Sequence, residues 1–488
     1  MSSMTACFAA SFDWFSSIFD FLWTISLVYN SVMKIHVDNL NSRIETDNPE
    51  LLKALYELYS FNVPGARYSP AYKRRQWDGK THFLTKSGVF KTGLLSRLLA
   101  DLKKIDCTPE IIQNTRIPDV EHSDYTIPGF TYYDYQEELI TEGLNKMRGI
   151  IKSPTGSGKT LIMAGLVKAL EGKKMVILFN AKQLLTQTYD FLTEACGMDN
   201  IGLCFGEGYI YGDIMLCTVQ SIERILDTHL EEAEVLMVDE CHEFSNGKTT
   251  LAALRSFPKA VYRFGFTATP PSEDIPRYNL EGALGAVIQS VGTADLVDEG
   301  KLTKPIIQLI DRKYEASGVD EDMGFLDVYE DYIVNNEARN NIITEIVNDI
   351  RRTNKAARIL ILTKSLDHGR TLEDLIGGSV EFLEGANSIG ERYDCISRFR
   401  GCAESSVLIG TKILQTGVNI EEITHFINAR GMKSEIATLQ ALGRALRRHD
   451  SKDVVYIYDF LDKEKYLSDH SVARKRHYEK EGHTVKIL

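Results

Sequence analysis

Ile150-Ile151-Lys152-Ser153-Pro154-Thr155-Gly156-Ser157-Gly158-Lys159-Thr160-Leu161-Ile162 decides the reading of this chain. A strand-like apolar run enters a glycine loop, and a helix-like run (Leu161, Ile162, Ala164, Leu166, Val167) leaves it. Strand, glycine loop, Lys-Thr, helix is the context in which such a loop cradles phosphates. Gly156 and Gly158 let the backbone curl so that N–H groups face one point, and the helix N-terminus adds its positive dipole end there. Lys159 then reaches the β and γ phosphates of a bound ATP, and the Thr160 hydroxyl is placed to ligate Mg2+. Ser153, Pro154, Thr155 and Ser157 complete the cradle, with Ser153 where the strict pattern has glycine. The bland alternative is a glycine-rich turn ahead of a helix.

Working outward, apolar β-type runs alternate with helical stretches at Gly149–Lys152, Met175–Phe179, Ile214–Thr218, Val235–Val238 and Tyr262–Phe266. Such alternation predicts a parallel sheet with crossover helices. A second series starts at Lys304–Leu309 and continues at Ile359–Leu362, Val380–Leu383, Val407–Ile409, His425–Ile427 and Val454–Tyr458. The expectation is an α/β protein with two tandem parallel-sheet lobes, residues 126–300 and 301–488. Within the second, Ser317–Asp327 reads as a loop.

Val235-Leu236-Met237-Val238 runs into Asp239-Glu240-Cys241-His242. A carboxylate at the end of a buried strand sits where open α/β sheets place ligands. Asp239 would hold Mg2+, Glu240 would orient and polarise the attacking water, and His242 would sense the nucleotide. An Asp-Glu pair at a strand end also serves as a helix N-cap. Following a phosphate loop in the same series of strands, it points to hydrolysis. Thr218, Ser221, Thr363, Ser365 and Thr411 fall at strand ends, where hydroxyls suit phosphate contacts that position a strand without reading bases.

Together these motifs resemble the superfamily 2 helicases of the DExH type, over residues 126–460. That resemblance implies tandem RecA-like lobes, ATP and Mg2+ as cofactors, and an ATP-dependent helicase activity. It makes Gln136, in Tyr133-Asp134-Tyr135-Gln136, the adenine reader. It makes Ala181-Lys182-Gln183-Leu184-Leu185-Thr186-Gln187 and Thr218-Val219-Gln220-Ser221 strand-contact motifs. Gly265-Phe266-Thr267-Ala268-Thr269-Pro270 becomes the motif that couples hydrolysis to lobe movement. In the second lobe it assigns Thr411 to the strand and Gly417 to the nucleotide, within Gln415-Thr416-Gly417-Val418-Asn419. Gln440-Ala441-Leu442-Gly443-Arg444-Ala445-Leu446-Arg447 would supply Gln440 to the nucleotide and Arg444 and Arg447 as arginine fingers. Such fingers are worth on the order of 10³–10⁵ in rate, and placing them on a different lobe from Lys159 makes hydrolysis depend on closure.

Ahead of the lobes, residues 33–125 read as a small α+β domain. Ile35–Val37 is strand-like, Asn48–Tyr59 has helical spacing, strand-like pieces follow around Trp77 and His82–Leu84, and Leu94–Leu102 reads as a helix. Residues 67–104 carry ten Lys/Arg against only Asp78 and Asp101. Lys73, Arg74, Arg75 and Lys80, with Trp77 among them, suit a phosphate backbone and stacked bases. The alternative is an aromatic core under a solvated basic face. Tyr68, Tyr72, Lys73, Trp77, Asp78, Gly79 and Lys80 are similar to the accessory domain of phage branched-DNA helicases. This implies branched or forked DNA with single-stranded segments as partner, in recombination, repair or replication. A basic helix around Arg474, Lys475, Arg476 and Lys480 would add to it or be merely solvated.

The chain has 488 residues and a net charge of −12, which argues against a protein that coats nucleic acid with its whole surface and leaves room for a local basic track. Its eight cysteines include no CxxC pair, which argues against zinc. Phe8–Tyr29 is apolar and long enough for a membrane span, but Asp13 and Asp20 interrupt it and no basic residue precedes it. Residues 1–32 are therefore expected to be a non-core extension. The protein is expected to be a cytoplasmic monomer with no membrane role, in a host cell if phage-encoded, working beside replication or recombination proteins. The core motifs leave open a duplex translocase without strand separation, an RNA helicase, and a nucleotide-gated scaffold.

Overall fold

The computed structural model describes residues 32–115, 124–225, 228–229, 231–288, 292–311, 322–411, 420–434, 438, 442–443, 445–449 and 452–488. Contacts divide the chain into two compact units. The first runs to Ser290 without Ser153–Lys159, and the second joins Ser153–Lys159 to Val291–Leu488.

The first unit begins with a small α+β layer. It holds β1 (Met33–Val37), β2 (Asn41–Thr46), α1 (Pro49–Leu58), β3 (Ser60–Asn62), β4 (Lys80–His82), β5 (Val89–Lys91), α2 (Leu95–Lys104) and β6 (Glu110–Gln113). Strands pair in the order β5–β2–β1–β6, and β3–β4 form a separate ladder. α1 starts where it does because Asn48 Oδ1 accepts from Leu51 N at 3.0 Å and Pro49 needs no N–H partner in the first turn. Leu51, Leu55 and Leu58 then share one face and join Ile35, Ile44 and Leu98 in a core. Each such side chain contributes about 1.5–3 kcal/mol on burial.

The strand expected around Trp77 is a turn instead. Trp77 Nε1 donates to Lys80 O at 2.8 Å. Gly79 sits at φ +81 with the Tyr72 ring 2.9 Å from where a Cβ would be, a place only glycine fits.

The same unit continues into a parallel sheet. Its elements are α3 (Asp134–Lys146), β7 (Arg148–Lys152), α4 (Lys159–Ala169), β8 (Met175–Phe179), α5 (Lys182–Asp190), β9 (Ile201–Phe205), β10 (Gly208–Ile210), β11 (Ile214–Thr218), β12 (Val235–Val238), α6 (Lys248–Leu254), β13 (Tyr262–Thr267), α7 (Asp274–Leu284) and β14 (Val287–Ile288). The order is β10–β9–β11–β8–β12–β13–β7–β14, with β10 antiparallel to β9 and the other pairs parallel. β8, β12 and β13 are buried at every position, as strands covered on both faces must be. β9, β10 and β14 have no counterpart among the expected strands. Glycines interrupt the first two, β10 is exposed at all three positions, and β14 is only two residues long.

The second unit repeats the plan. β15 (Lys304–Ile310), α8 (Glu337–Thr353), β16 (Arg358–Leu362), α9 (Leu366–Ile376), β17 (Val380–Leu383), α10 (Ile389–Gly401), β18 (Ser406–Gly410), β19 (His425–Asn428), β20 (Val454–Phe460), α11 (Leu467–Lys480) and β21 (Val485–Ile487) follow one another. Its sheet is parallel at every pair, in the order β17–β18–β16–β19–β20–β15–β21. The fold is thus α/β, with tandem RecA-like lobes behind a small α+β domain.

Two expectations change here. Residues 312–321 lie outside the described residues, but Phe325–Asp327 of the expected loop belong to a short helix, Phe325–Tyr329, whose Phe325 ring packs on Tyr329 and Tyr466. The expected basic tail is helical as α11, yet Arg474 is 1% exposed and its Nε lies 3.0 Å from both Asp459 oxygens. A central-strand carboxylate needs a charge partner, and α11 supplies it. The extension expected over residues 1–32 lies outside the described residues save Val32. No helix among the described residues is long and apolar enough to cross a membrane.

Candidate functional site

β7 delivers the chain into Ser153–Gly158, and α4 begins at Lys159. Gly156 and Gly158 take φ of +87 and +81, the left-handed values that curl the loop. Ser153 and Ser157 are buried, their hydroxyls 2.5 Å apart, and Ser157 Oγ donates to Pro154 O. The serine that replaces glycine therefore holds the loop from inside.

Two strands away in the same sheet, β12 ends and Asp239 N donates to Leu178 O at 3.0 Å. Glu240 has φ +43 and ψ 49, a left-handed conformation rare for a residue with a side chain. Such strain is kept where the surroundings over-determine it, commonly at functional sites. His242 is buried, with Nδ1 2.9 Å from Thr267 Oγ1 and 3.3 Å from Glu240 Oε2. Thr267 Oγ1 also accepts from Thr269 N at 3.1 Å. The ends of β12 and β13 are thereby joined through one imidazole. No group of three or more His, Cys, Asp or Glu among the described residues suits a metal ion. A hydroxyl such as Thr160 and a carboxylate such as Asp239 are the kinds of donor that would suit Mg2+, which keeps most of its waters.

The other expected residues fall variously. Gln136 is buried as the third residue of α3, and its Oε1 accepts from Tyr133 N at 2.9 Å, capping the helix. Tyr133 is half exposed and stacks on Tyr135 with ring centroids 5.8 Å apart. Arg447 lies in the second unit, where its carbonyl accepts from Thr303 Oγ1 at 3.1 Å and burial lowers its guanidinium pKa. Gly417, Gln440 and Arg444 lie outside the described residues. Thr411, half-buried, follows β18.

Thr218 and Ser221 are buried, and the Thr218 hydroxyl donates to Ser221 Oγ at 3.1 Å. Ser221 Oγ also accepts from Gly206 N. These hydroxyls hold the β9–β10 turn. They line a cleft of about 700 Å³ whose other walls include Lys182, Phe205 and Arg224. Lys182 Nζ lies 4.5 Å from the Phe205 ring centre, and Arg224 donates to Glu207 O at 3.2 Å. Phe205 and Arg224 were not legible as site residues, since the hairpin that places them was not.

In the α+β domain, Lys73, Arg74 and Arg75 are exposed, beside Tyr68 at 67% and Tyr72 at 41% exposure. Trp77 and Lys80 are half-buried, and Lys80 pairs with Glu57 at 3.3 Å. Phe83 and Phe90 are core residues. Arg97, one of the ten basic residues, is half-buried and makes a bidentate pair with Glu281, both contacts at 2.7 Å.

Three family profiles match the chain. "DNA helicase UvsW, N-terminal" covers residues 33–108, "Type III restriction enzyme, res subunit" covers 129–272, and "Helicase conserved C-terminal domain" covers 338–449. The "ATP-dependent DNA helicase uvsW" of Enterobacteria phage T4 is 22% identical over 88% of this chain and 90% of its own length. The "DNA 3'-5' translocase XPB2" of Sulfurisphaera tokodaii is 22% identical over 65% of this chain and 79% of its own. Among solved structures, Saccharomyces cerevisiae Dbp5 bound to RNA and ADP BeF3 shares the fold with a TM-score of 0.52, at 16% identity over 73% of this chain and 89% of that one.

Proposed function

Because the chain belongs to the superfamily 2 helicases of the DExH type and is an ATP-dependent helicase, we propose that it unwinds or branch-migrates branched DNA in recombination, repair or replication. The observation that carries its ATPase part is that β7, which leads into the glycine loop, and β12, which ends at Asp239-Glu240, lie in one parallel sheet, with the end of β12 fastened to β13 through His242.

In this reading the backbone of Ser153–Gly158 and the Lys159 ammonium bind the triphosphate, and Gln136 and Tyr133 face the adenine. Thr160 and Asp239 hold Mg2+, which neutralises charge on the phosphate oxygens. Glu240 orients a water for in-line attack on the γ-phosphorus and accepts its proton, as the bond from the γ-phosphorus to the bridging oxygen breaks and ADP leaves. Gly417 and Gln440 complete the nucleotide pocket. Arg444 and Arg447 stabilise the charge that spreads over the transferred phosphoryl, so hydrolysis follows closure of two lobes on a strand. The exposed ridge of Lys73, Arg74 and Arg75 grips the phosphate backbone of the junction. The protein works as a monomer in the cytoplasm of its host, beside replication or recombination proteins.

Lys159→Ala tests the site. It should abolish Mg2+-dependent phosphate release, whether or not DNA is present. Hydrolysis at the parent rate would refute the assignment. Strand displacement on forks, flaps and four-way junctions then tests the substrate, and equal activity on duplex RNA would refute branched DNA.

A further inference from the structure

Helix α7 joins two parts of the first unit that the motifs treat separately. It begins just after the Thr267-Ala268-Thr269-Pro270 segment and, at eleven residues, spans about 16 Å. One side of it is embedded in the α+β domain. Tyr278 belongs to that domain's core, with its ring centre 4.6 Å from Phe61 and 5.1 Å from Phe83. The Arg97 guanidinium lies 4.9 Å over the Tyr278 ring while it grips Glu281, which is only 3% exposed. A Cβ on Gly93 would stand 2.0 Å from Glu281 O, so the helix backbone lies against this domain too closely for any side chain between them.

The other side of α7 touches the carboxylate loop. Asn279 Nδ2 donates to Ser245 O at 3.1 Å, at the end of the turn Cys241–Phe244 that follows Glu240. A Cβ on Gly265 would meet Leu284 Cδ1 at 2.7 Å and Cys241 Sγ at 2.8 Å, so the helix end also packs on this turn.

We propose that α7 transmits DNA occupancy of the α+β domain to the Glu240 loop, with Tyr278, Asn279 and Glu281 as positioning residues that set how far DNA stimulates hydrolysis. The inference rests on the reading of Glu240 as the water-orienting group and of the basic ridge as a DNA surface. Coupling needs an element with more than one arrangement. The left-handed backbone of Glu240 is held by its surroundings, so a shift of the turn that α7 packs on is what would let it change. The bidentate Arg97–Glu281 pair makes the far end stiff, since removing the half-buried Arg97 strands the charge of Glu281, which is only 3% exposed.

The test uses the full chain, ATP and a synthetic four-way DNA junction. Asn279→Ala removes one neutral hydrogen bond, and the double variant Arg97→Gln with Glu281→Gln replaces the ion pair by a neutral pair of similar volume. Both should keep the basal hydrolysis rate, the KM for ATP and the junction affinity. Both should lose about fivefold or more of the junction-stimulated kcat, the range of ordinary coupling energies. Full stimulation in both variants, with parental Tm and junction affinity, would overturn the proposal. So would a fall in basal rate with the stimulation ratio intact, because α7 would then serve only the fold. Lys159→Ala and the triple charge reversal at Lys73, Arg74 and Arg75 run in parallel. Unchanged hydrolysis in the first, or unchanged junction affinity in the second, identifies failure of the underlying reading instead.

Discussion

His242 Nδ1 and Thr267 Oγ1 stand 2.9 Å apart with both side chains buried, so the loop after β12 and the end of β13 are joined by side chains as well as by the sheet ladder. Thr267 also serves Thr269 N, and one hydroxyl thus fixes the geometry of two motifs. Thr267→Val keeps the shape and removes both bonds. It leaves the buried Thr269 N without its hydroxyl acceptor, at about 1–3 kcal/mol, and leaves His242 Nδ1 its contact to Glu240 at 3.3 Å. ATP hydrolysis should fall on the order of tenfold or more, which corresponds to about 1.4 kcal/mol on the barrier. The KM for ATP should change little. Steady-state kinetics decide it, and an unaltered kcat would mean that this contact does not shape the hydrolytic site.

The basic ridge makes a prediction about salt. Each phosphate contact contributes about −0.9 to the slope of log affinity against log salt on duplex DNA. Reversing Lys73, Arg74 and Arg75 to Glu should therefore flatten the slope by roughly 3 and weaken binding at low salt. All three are exposed, so thermal stability should stay near the parent's. Fluorescence anisotropy with a fork across a salt series measures both quantities. A slope identical to the parent's would leave the ridge a solvated face.

The two α/β series were legible because nearly every central strand is a short run of β-branched and aliphatic residues, buried on both faces. The phosphate loop and Asp239-Glu240 were legible because their spacing is local. The edges were not. β10 is exposed throughout and β14 is two residues long, so neither leaves a hydrophobic pattern. Charge proved the least readable property. Arg97 and Arg474 look like any surface arginine in sequence, yet each is committed to a carboxylate 184 or 15 residues away. Thr218 and Ser221, expected at strand contacts, also tie down a turn whose own strands were not foreseen. Pairings of that kind depend on the tertiary fold.

Arg474 can be separated from its exposed neighbours by stability alone. It is buried against Asp459, with Tyr478 Oη also donating to Asp459 Oδ2 at 2.8 Å. Arg474→Ala should cost about 3–5 kcal/mol, because it leaves a buried carboxylate without its countercharge. Arg476→Ala, on the solvated side of α11, should stay within roughly 0.5 kcal/mol of the parent. Urea unfolding of the two variants provides the comparison. Equal midpoints would contradict the burial of Arg474.

Acid should destabilise the second unit through two histidines. His425 is 6% exposed, its ring stacked on Tyr456 at 5.1 Å, and burial pushes its imidazole pKa down to about 4. His368 is fully buried, its Nε2 2.9 Å from Asn340 Oδ1. Burial first, and the Arg339 charge second, push it down to about 3. Both folded values lie below the ordinary 6.5, so as pH falls the unfolded chain takes up these protons first. The stability they confer is complete above about pH 6.5 and is lost progressively as pH falls through about 4 and then 3. Each tenfold difference in proton affinity is worth about 1.4 kcal/mol, so the two together withdraw several kcal/mol by pH 4. His425→Phe keeps a ring against Tyr456 and removes one of the two titrations. Its urea midpoint should therefore fall less between pH 7 and pH 5 than the parent's. A parallel fall in parent and variant would show that folding does not shift the titration of His425.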